Sequence, residues 1–366
     1  MRFVMLATVF LAALPCRGLD LHVLPEAAGA SDGSSWEHAL PAAALADWLS
    51  GRLQPGDRLL LGSGEYSRLK MVIAARGQSG REIVIEGVDR GGGQPLITGV
   101  WSEHQPDKGS LAVEFTPSAA HLTLRGLRFR DHQTAVLAPG SKDGAARSGL
   151  RFENLDSTRV RHGFYLSDCH DLVLENCRVR RCTKHAFRFE SGCEKVTVQR
   201  CEADCSEGDP AWEKLTESLP FGFFVNGSPR ANRGFTFAAC TARNHLMPHQ
   251  KSRYKNGDGF VVEDTTSGVA FHRCRAFRNQ DAGFDIKPPG VVFKNCIAAG
   301  NSRNFRLWSN ATLENCFSGF ASTGLWSNGG IVEIKRCTFF ALNNAAVQTD
   351  DHATGPVTLS DCLIGQ

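Results

Sequence analysis

The sequence predicts an all-β fold, a parallel β-helix built as a solenoid of coils of about 22 residues, with a short N-terminal capping helix. Two observations predict it. A phrase of alternating apolar residues, two polar residues and then Cys or Leu recurs ten times, and an apolar residue, most often Phe, follows each cysteine of the middle coils. Short alternating strands at a fixed period are typical of stacked repeats.

The recurring phrase ends on one column of small apolar residues. One coil places each residue about 4.8 Å from its equivalent in the next coil, so we expect an inward ladder of small hydrophobes and no disulfide framework. A bond from Cys169 to Cys193, or from Cys182 to Cys205, is an alternative, because each pair is also one coil apart. The ladder comprises Leu127, Leu155, Cys177, Cys201, Cys240, Cys274, Cys296, Cys316, Cys337 and Cys362.

Two further columns follow the ladder. We expect the first to stack inside the core: Phe164, Phe187, Phe223, Phe260, Phe284, Phe305, Leu325 and Val347. Side chains alternate along a strand, so the next residue of each coil points outward. That outward column comprises Tyr165, Arg188, Phe224, Val261, Asp285, Arg306, Trp326 and Gln348. On a solenoid of this kind function has to be sought in the outward column.

The N-terminus of the chain predicts export. Arg2 precedes an apolar run at residues 3–14, and small residues favour cleavage after Gly18, so residues 1–18 form a predicted signal peptide. The run is too short to span a bilayer. A lipoprotein anchored through Cys16 is the alternative. We therefore expect a secreted or periplasmic protein with no membrane association after signal cleavage.

One domain is predicted for residues 19–366. Residues 19–56 form the N-terminal cap and lead-in, with a helical pattern at 41–53, and residues 57–366 form the coils. Longer spacings place insertions near 206–220 and 245–257. A monomer is expected. With 41 Lys and Arg against 38 Asp and Glu, the net charge of +3 gives no reason to expect nucleic acid.

Acidic residues gather on two neighbouring coils. Asp258 lies in KNGDGF, Asp281 and Asp285 lie in NQDAGFD, and Arg306 follows Asp285 by about one coil. Three carboxylates this close repel unless a cation neutralises them. Calcium is the first choice, because it takes six to eight oxygen ligands. The alternative is a solvated face of ion pairs with Arg306, Lys287 and Arg253.

The stretch KNGDGFVVEDTTSGVAFHRCRAFRNQDAGFDIK resembles the calcium-binding region of family 9 polysaccharide lyases, which are right-handed parallel β-helix pectate lyases. LHVLP, SSWEHAL, LQPGDRLLLGSGEYS, GREIVIEG and QPLITG resemble the N-terminal opening of many exported polysaccharide-degrading β-helices. The resemblance implies that Asp258, Asp281 and Asp285 are calcium ligands. Two positions depart from the family pattern: Ala282 replaces a ligand Asp, and Arg306 replaces the catalytic Lys.

The implied activity is calcium-assisted β-elimination on pectate or a related polyuronate. A base removes the proton at C5 of the uronate, once the charge of its carboxylate is neutralised. Other pectate lyase families use an arginine base near calcium, which makes Arg306 the first candidate and Lys287 the reserve. Arg306 clamping a substrate carboxylate is a competing role.

An acidic polysaccharide also needs a binding surface. Lys251, Arg253 and Lys255 form a basic loop that leads into Asp258, and Arg188 and Trp326 lie in the outward column. We expect these residues to bind substrate. Solvated surface positions are the alternative.

Two other functions remain open at this point. In a glycoside hydrolase, Asp258 with Asp281 or Asp285 would form the pair of catalytic carboxyls. In a non-catalytic carbohydrate-binding protein, Ala282 and Arg306 would mark a degraded site.

Overall fold

The computed structural model describes residues 18–249, 256–351 and 353–365 and confirms the parallel β-helix. Strands of successive coils pair in parallel, residue above residue, along three faces. Of the predicted signal peptide only Gly18 belongs to the described residues. No helix in these three ranges is long and apolar enough to cross a membrane.

The first face is one parallel sheet of 15 strands that runs the length of the solenoid. It carries the alternating phrase that precedes each ladder residue. Its strands are Asp20–Leu24, Leu40–Pro41, Arg58–Gly62, Ile83–Val88, Leu122–Arg125, Arg147–Ser148, Leu150–Glu153, Cys169–Glu175, Glu194–Gln199, Asn232–Ala238, Thr266–His272, Val291–Lys294, Ala311–Glu314, Val332–Lys335 and Val357–Ser360.

The second face starts just after the ladder residue of each coil, and the third face holds the phenylalanine column. The second face comprises Glu65–Ser67, Leu96–Thr98, Glu202–Asp204, Thr241–Arg243, Arg275–Phe277, Ile297–Ala299 and Leu363–Gly365. The third comprises Met71–Ile73, Leu111–Phe115, Phe221–Asn226, Asp258–Val262, Ala282–Ile286 and Arg303–Leu307. Long strands run through both faces: Arg128–Ala138, Asp156–Ser167, Arg178–Glu190, Phe317–Ser327 and Thr338–Thr349.

A sharp corner joins the first face to the second. The residue before each ladder position adopts a left-handed conformation, with φ between +52° and +56° from the coil of Asn154 to that of Asp361. Asn and Asp tolerate this region better than other non-glycine residues. This tolerance accounts for five of the nine corners, those of Asn154, Asn176, Asn295, Asn315 and Asp361. The other four are Arg200, Ala239, Arg273 and Arg336.

The core is filled by the two predicted columns. Phe223, Phe260 and Phe284 are parallel rings with centroids 4.7 and 4.8 Å apart, and Phe271 from the first face meets Phe260 edge-on at 5.5 Å. The ladder cysteines are free and buried except for the half-buried Cys362, which confirms the thiol ladder. Cys169, Cys182, Cys193 and Cys205 are also free, so neither alternative disulfide is present.

Among residues 18–249, 256–351 and 353–365, helical structure is confined to two places. Near the N-terminus, short turns occupy Trp36–His38, Ala42–Ala44, Leu45–Asp47 and Trp48–Arg52, and they bury Leu45 and Leu49 against the first coils, as expected of a cap. The insertion at 206–220 contains Pro210–Glu213, which Asp209 caps by accepting a hydrogen bond from the Ala211 amide. This insertion leads directly into strand Phe221–Asn226 of the third face, where the candidate site lies.

Candidate functional site

The third face places the predicted acidic residues on neighbouring strands. Asp258 begins Asp258–Val262, and Asp285 lies in Ala282–Ile286 directly beside Arg306 of the next strand. Asp281 immediately precedes the strand of Asp285. Trp326 pairs with Arg306 on the following coil, so the predicted outward register is confirmed.

Arg306 connects two of the carboxylates. Its Nη1 nitrogen lies 3.1 Å from Asp281 Oδ2 and 3.6 Å from Asp285 Oδ2. Arg303 binds the other Asp281 oxygen at 2.8 Å. The Arg306 side chain retains only 17% of its surface accessible, and its Nε–H has no hydrogen-bond partner among the described residues. The guanidinium is therefore fixed in place with one donor unused.

Two tryptophans complete this part of the face. Trp308 Nε1 donates a hydrogen bond of 2.6 Å to Asp285 Oδ1, and the Arg306 guanidinium lies 4.7 Å from the Trp308 ring and 5.6 Å from the Trp326 ring. The two indoles meet edge to face at 5.1 Å. Sequence reasoning missed Trp308, although strand alternation places it two residues after Arg306 on the same side.

Burial sets the electrostatics of the carboxyls. Asp258 is fully buried and accepts a 2.6 Å hydrogen bond from the Ala282 amide. Burial, reinforced by the neighbouring Asp285 and Asp281, raises the pKa of Asp258 well above its usual range. Burial also raises the pKa of Asp285, although Arg306 and the Trp308 hydrogen bond oppose the shift. Both carboxyls therefore keep a proton to higher pH than an exposed aspartate.

The fit of these residues to a metal ion is incomplete. The described ranges contain no group of three or more His, Cys, Asp or Glu side chains placed to hold one ion. Guanidinium groups already contact both Asp281 oxygens, and Asp258 and Asp285 each accept a hydrogen bond. A calcium ion would have to compete with Arg303 and Arg306 for the carboxylates.

The other predicted site residues are more dispersed. Lys287 forms an ion pair with Glu263 and contacts none of the three aspartates. Arg188 lies three strands upstream of Asp285 on the same face, a separation of about 14 Å. Lys251, Arg253 and Lys255 lie outside the described residues.

Comparison with known proteins supports the fold. A sequence profile described as a right-handed β-helix region matches residues 221–366. The pectate lyase Pel9A superposes with a TM-score of 0.61 at 16% identity, covering 95% of this chain and 78% of the lyase. The periplasmic alginate epimerase AlgG superposes with a TM-score of 0.59 at 9% identity, covering 86% of this chain and 78% of the epimerase. The chain is a right-handed parallel β-helix.

One curated relative is detectable from sequence. A capsule K1-specific depolymerase of Klebsiella phage K64-1 is 24% identical over 131 residues, which is 36% of this chain. The match spans 12% of the length of that depolymerase.

Proposed function

We propose that this protein is an exported enzyme that acts on an acidic polysaccharide, pectate or a related polyuronate, and cleaves it by β-elimination. The observation that carries the proposal is Arg306, held on the outward face between two carboxylates and beside two indole rings. Support comes from the similar folds of a pectate lyase and an alginate epimerase, because both pectate and alginate are polyuronates. The partial match to a capsule depolymerase supports an enzyme that acts on a polysaccharide.

The reaction needs a neutralised substrate carboxylate and a proton acceptor. The acceptor takes the proton from C5, the C5 electron pair forms the C4–C5 double bond, and the C4–O bond breaks. The departing oxygen is protonated and leaves as the end of the shortened chain. Positive charge close to the carboxylate lowers the barrier, because negative charge develops next to it in the transition state.

The geometry favours Arg306 as the group that binds this carboxylate. Asp281 and Asp285 stabilise its positive charge, and an arginine side chain is protonated throughout the working range of proteins. A guanidinium held in this way donates hydrogen bonds well and accepts protons poorly. Trp326 and Trp308 provide apolar surface on which a sugar ring can stack.

Lys287 and Asp285 are the two candidate proton acceptors. Lys287 lies one outward position beyond Asp285, and it can act as the base only as a neutral amine, after its ammonium has left Glu263 and lost a proton. Asp285 adjoins Arg306, and its raised pKa makes it a stronger base than an exposed aspartate.

We propose calcium as the metal for Asp258, Asp281 and Asp285, where it would have to displace Arg303 and Arg306 from Asp281. Lys287 is then the proton acceptor, because a carboxylate that holds a cation is a weaker base. Bound there, calcium would supply further positive charge to the substrate carboxylate. Chelation should then lower activity, and calorimetry should detect calcium binding that Asp281→Asn weakens. If activity persists in chelator and calorimetry detects no binding, Arg303 and Arg306 alone supply the positive charge and the calcium assignment is wrong.

Glycoside hydrolysis is the second candidate, and the raised pKa values of Asp258 and Asp285 favour it. A hydrolase needs one protonated carboxyl and one carboxylate at the scissile bond. The two reactions differ in their products, because only elimination forms a double bond that absorbs in the near ultraviolet.

The experiment incubates purified protein with pectate, polymannuronate and polyguluronate and follows absorbance and reducing ends together. Elimination raises both, and hydrolysis raises reducing ends alone. Arg306→Ala should lower kcat/KM by about 100-fold or more. The matched control, Arg303→Ala, removes a neighbouring guanidinium that contacts only Asp281 and should cost less than about tenfold. Equal losses in the two variants would contradict the role of Arg306.

A further inference from the structure

A second group of polar residues lies upstream on the same face. We call it the upstream cluster and define it as His162, Tyr165, Lys184, His185 and Arg188. Strand pairing places His162 beside His185 and Tyr165 beside Arg188. The insertion at 206–220 borders the cluster, because Lys184 Nζ donates a hydrogen bond to the Ser218 carbonyl.

Lys184 forms no close ion pair, although Glu217 and Asp107 lie near enough to favour its charged form. Arg161, next to it on the previous coil, pairs with both Glu217 oxygens and with Asp107, and Arg188 pairs with Glu190. Within residues 18–249, 256–351 and 353–365, no carboxylate lies within 4.0 Å of Lys184 Nζ. Its half-buried ammonium retains only the Ser218 carbonyl as a partner.

Of the two imidazoles, His162 has unused hydrogen-bonding capacity, whereas His185 Nδ1 lies 3.5 Å from an Arg188 guanidinium nitrogen. Each histidine is 3% exposed, and His162 Nδ1 is buried with no hydrogen-bond partner among the described residues. Burial, together with the surrounding cations, lowers the pKa of both rings well below its usual value. Each ring is therefore neutral near pH 7, with one nitrogen that donates and one that accepts.

Aromatic rings hold Arg188 in place on the outward side of the third face. The guanidinium carbon lies 4.4 Å from the centre of the Tyr165 ring and 5.5 Å from that of Phe224. His185 stacks on Phe221 at 5.4 Å, which fixes the imidazole next to the guanidinium. Stacked arginine is well suited to bind a planar carboxylate.

We propose that the upstream cluster is a second sugar-binding subsite, in which Arg188 and Lys184 bind a carboxylate of the polysaccharide and Tyr165 stacks on the sugar ring. The subsite rests on the proposed function, since it binds the same acidic chain. It lies about 14 Å from Asp285, with Phe224 and Val261 on the intervening coils, so one chain that reaches both sites is an oligomer.

Calorimetry in an Arg306→Ala background isolates this subsite from the downstream one. The probes are hexamers of galacturonate, mannuronate and guluronate, together with the best-bound hexamer after reduction of its carboxyls. Arg188→Leu and Lys184→Met should each weaken binding of the best-bound hexamer about tenfold or more. The control Arg178→Leu removes a cation from the start of the same strand, where the side chain is 63% exposed, and should leave affinity unchanged.

Several results would overturn the subsite. They are no binding of any hexamer, unchanged affinity in both upstream variants, an equal loss in the control, or equal binding of the reduced hexamer. Lys184→Met keeps the test informative if Arg188→Leu fails to fold. The outcome is separable from that of the proposed function, because binding that depends on Arg188 in a protein without turnover supports the subsite and contradicts the lyase. Turnover by the wild type, together with unchanged hexamer affinity in both upstream variants, supports the lyase and contradicts the subsite.

Discussion

The inward and outward columns of the third face differ sharply although they alternate along the same strands. Phe284 and Phe305 stack at 5.1 Å inside the core. Asp285 and Arg306, which directly follow them in their strands, lie on the outward side. Inside, each coil repeats the residue of its neighbour, because a phenylalanine ring packs well on another ring at the equivalent position of the next coil. Outside, no two neighbouring residues are alike.

This difference teaches where chemistry can arise in a solenoid. Each coil contacts only its neighbours, so an inward change disturbs the packing of three coils. An outward change disturbs little packing and is free to introduce charge. The inward column should therefore determine stability and the outward column activity, and the following variants test that separation.

Phe260→Ala should produce the largest loss of stability. The ring is fully buried, stacks on Phe223 and Phe284, and meets Phe237 and Phe271 edge-on. Truncating a buried Phe costs about 3–5 kcal/mol. Denaturant unfolding measures the loss. The control Phe320→Ala, at a position 61% exposed, should change stability by less than about 0.5 kcal/mol. Similar losses in the two variants would contradict the conclusion that the inward column determines stability.

His132 tests whether the interior excludes charge. Burial lowers the pKa of His132 from 6.5 to about 4, and its ring nitrogens contact the Ile97 carbonyl and the Ser110 hydroxyl. Below pH 6.5 the unfolded chain takes up a proton that the folded protein does not, so the free energy of unfolding falls as the pH falls. At 1.36 kcal/mol per pKa unit, the loss reaches about 3 kcal/mol near pH 4.

His132→Gln should remove this part of the pH dependence. Unfolding curves between pH 4 and 7.5 for the variant and the wild type measure the difference. His104→Gln, at a site where the side chain is 76% exposed, should keep the wild-type slope. A wild-type slope in His132→Gln would show that the buried imidazole is not its source.

Trp308→Phe tests the outward side at finer scale. The variant keeps an aromatic ring beside Arg306 and loses only the hydrogen bond to Asp285 Oδ1. A hydrogen bond to a charged group contributes about 1.5–3 kcal/mol to stability, so the variant should lose no more than that, less than Phe260→Ala. Its kcat/KM should fall about tenfold or more, because Asp285 is no longer held in one orientation beside Arg306. Trp326→Phe removes no bond to Asp285. Equal activity in the two variants would contradict a positioning role for Trp308.

Cys296→Ala should have the smallest effect. Its thiol is buried and donates only weak bonds, to the Phe271 and Lys294 carbonyls, so the loss should be about 1 kcal/mol. The half-buried Cys362 is the matched control and should lose less. Denaturant unfolding measures both. A loss as large as that of Phe260→Ala would mean that the sulfur ladder, and not the ring stack, dominates the core.

Much of the architecture could be predicted from sequence because it repeats. Phe260, Phe284 and Phe305 recur at coil spacing, and the spacing alone fixes which residues lie beside each other. The same register correctly placed Asp285 beside Arg306. The insertions were visible as longer spacings, but their path was not, because loop conformation depends on what the loop packs against.

The partners chosen by the charged side chains could not be predicted. Lys287 was a predicted base near Asp285, yet its ammonium pairs with Glu263 of the neighbouring coil. Arg306 had several acidic neighbours in sequence, and only the folded face shows it shared between Asp281 and Asp285. The rotamer of a long side chain depends on the packing around it, and this packing does not repeat from coil to coil.

The sequence by itself determined the coil, its register and the division of residues into inside and outside, because a short period in apolar residues leaves few ways to stack. Only the tertiary structure decided which outward residues act together. Trp308 joins Asp285 through its indole nitrogen, and Lys184 meets the insertion at Ser218. Such contacts depend on side-chain direction and on loops from distant coils, neither of which a repeat specifies.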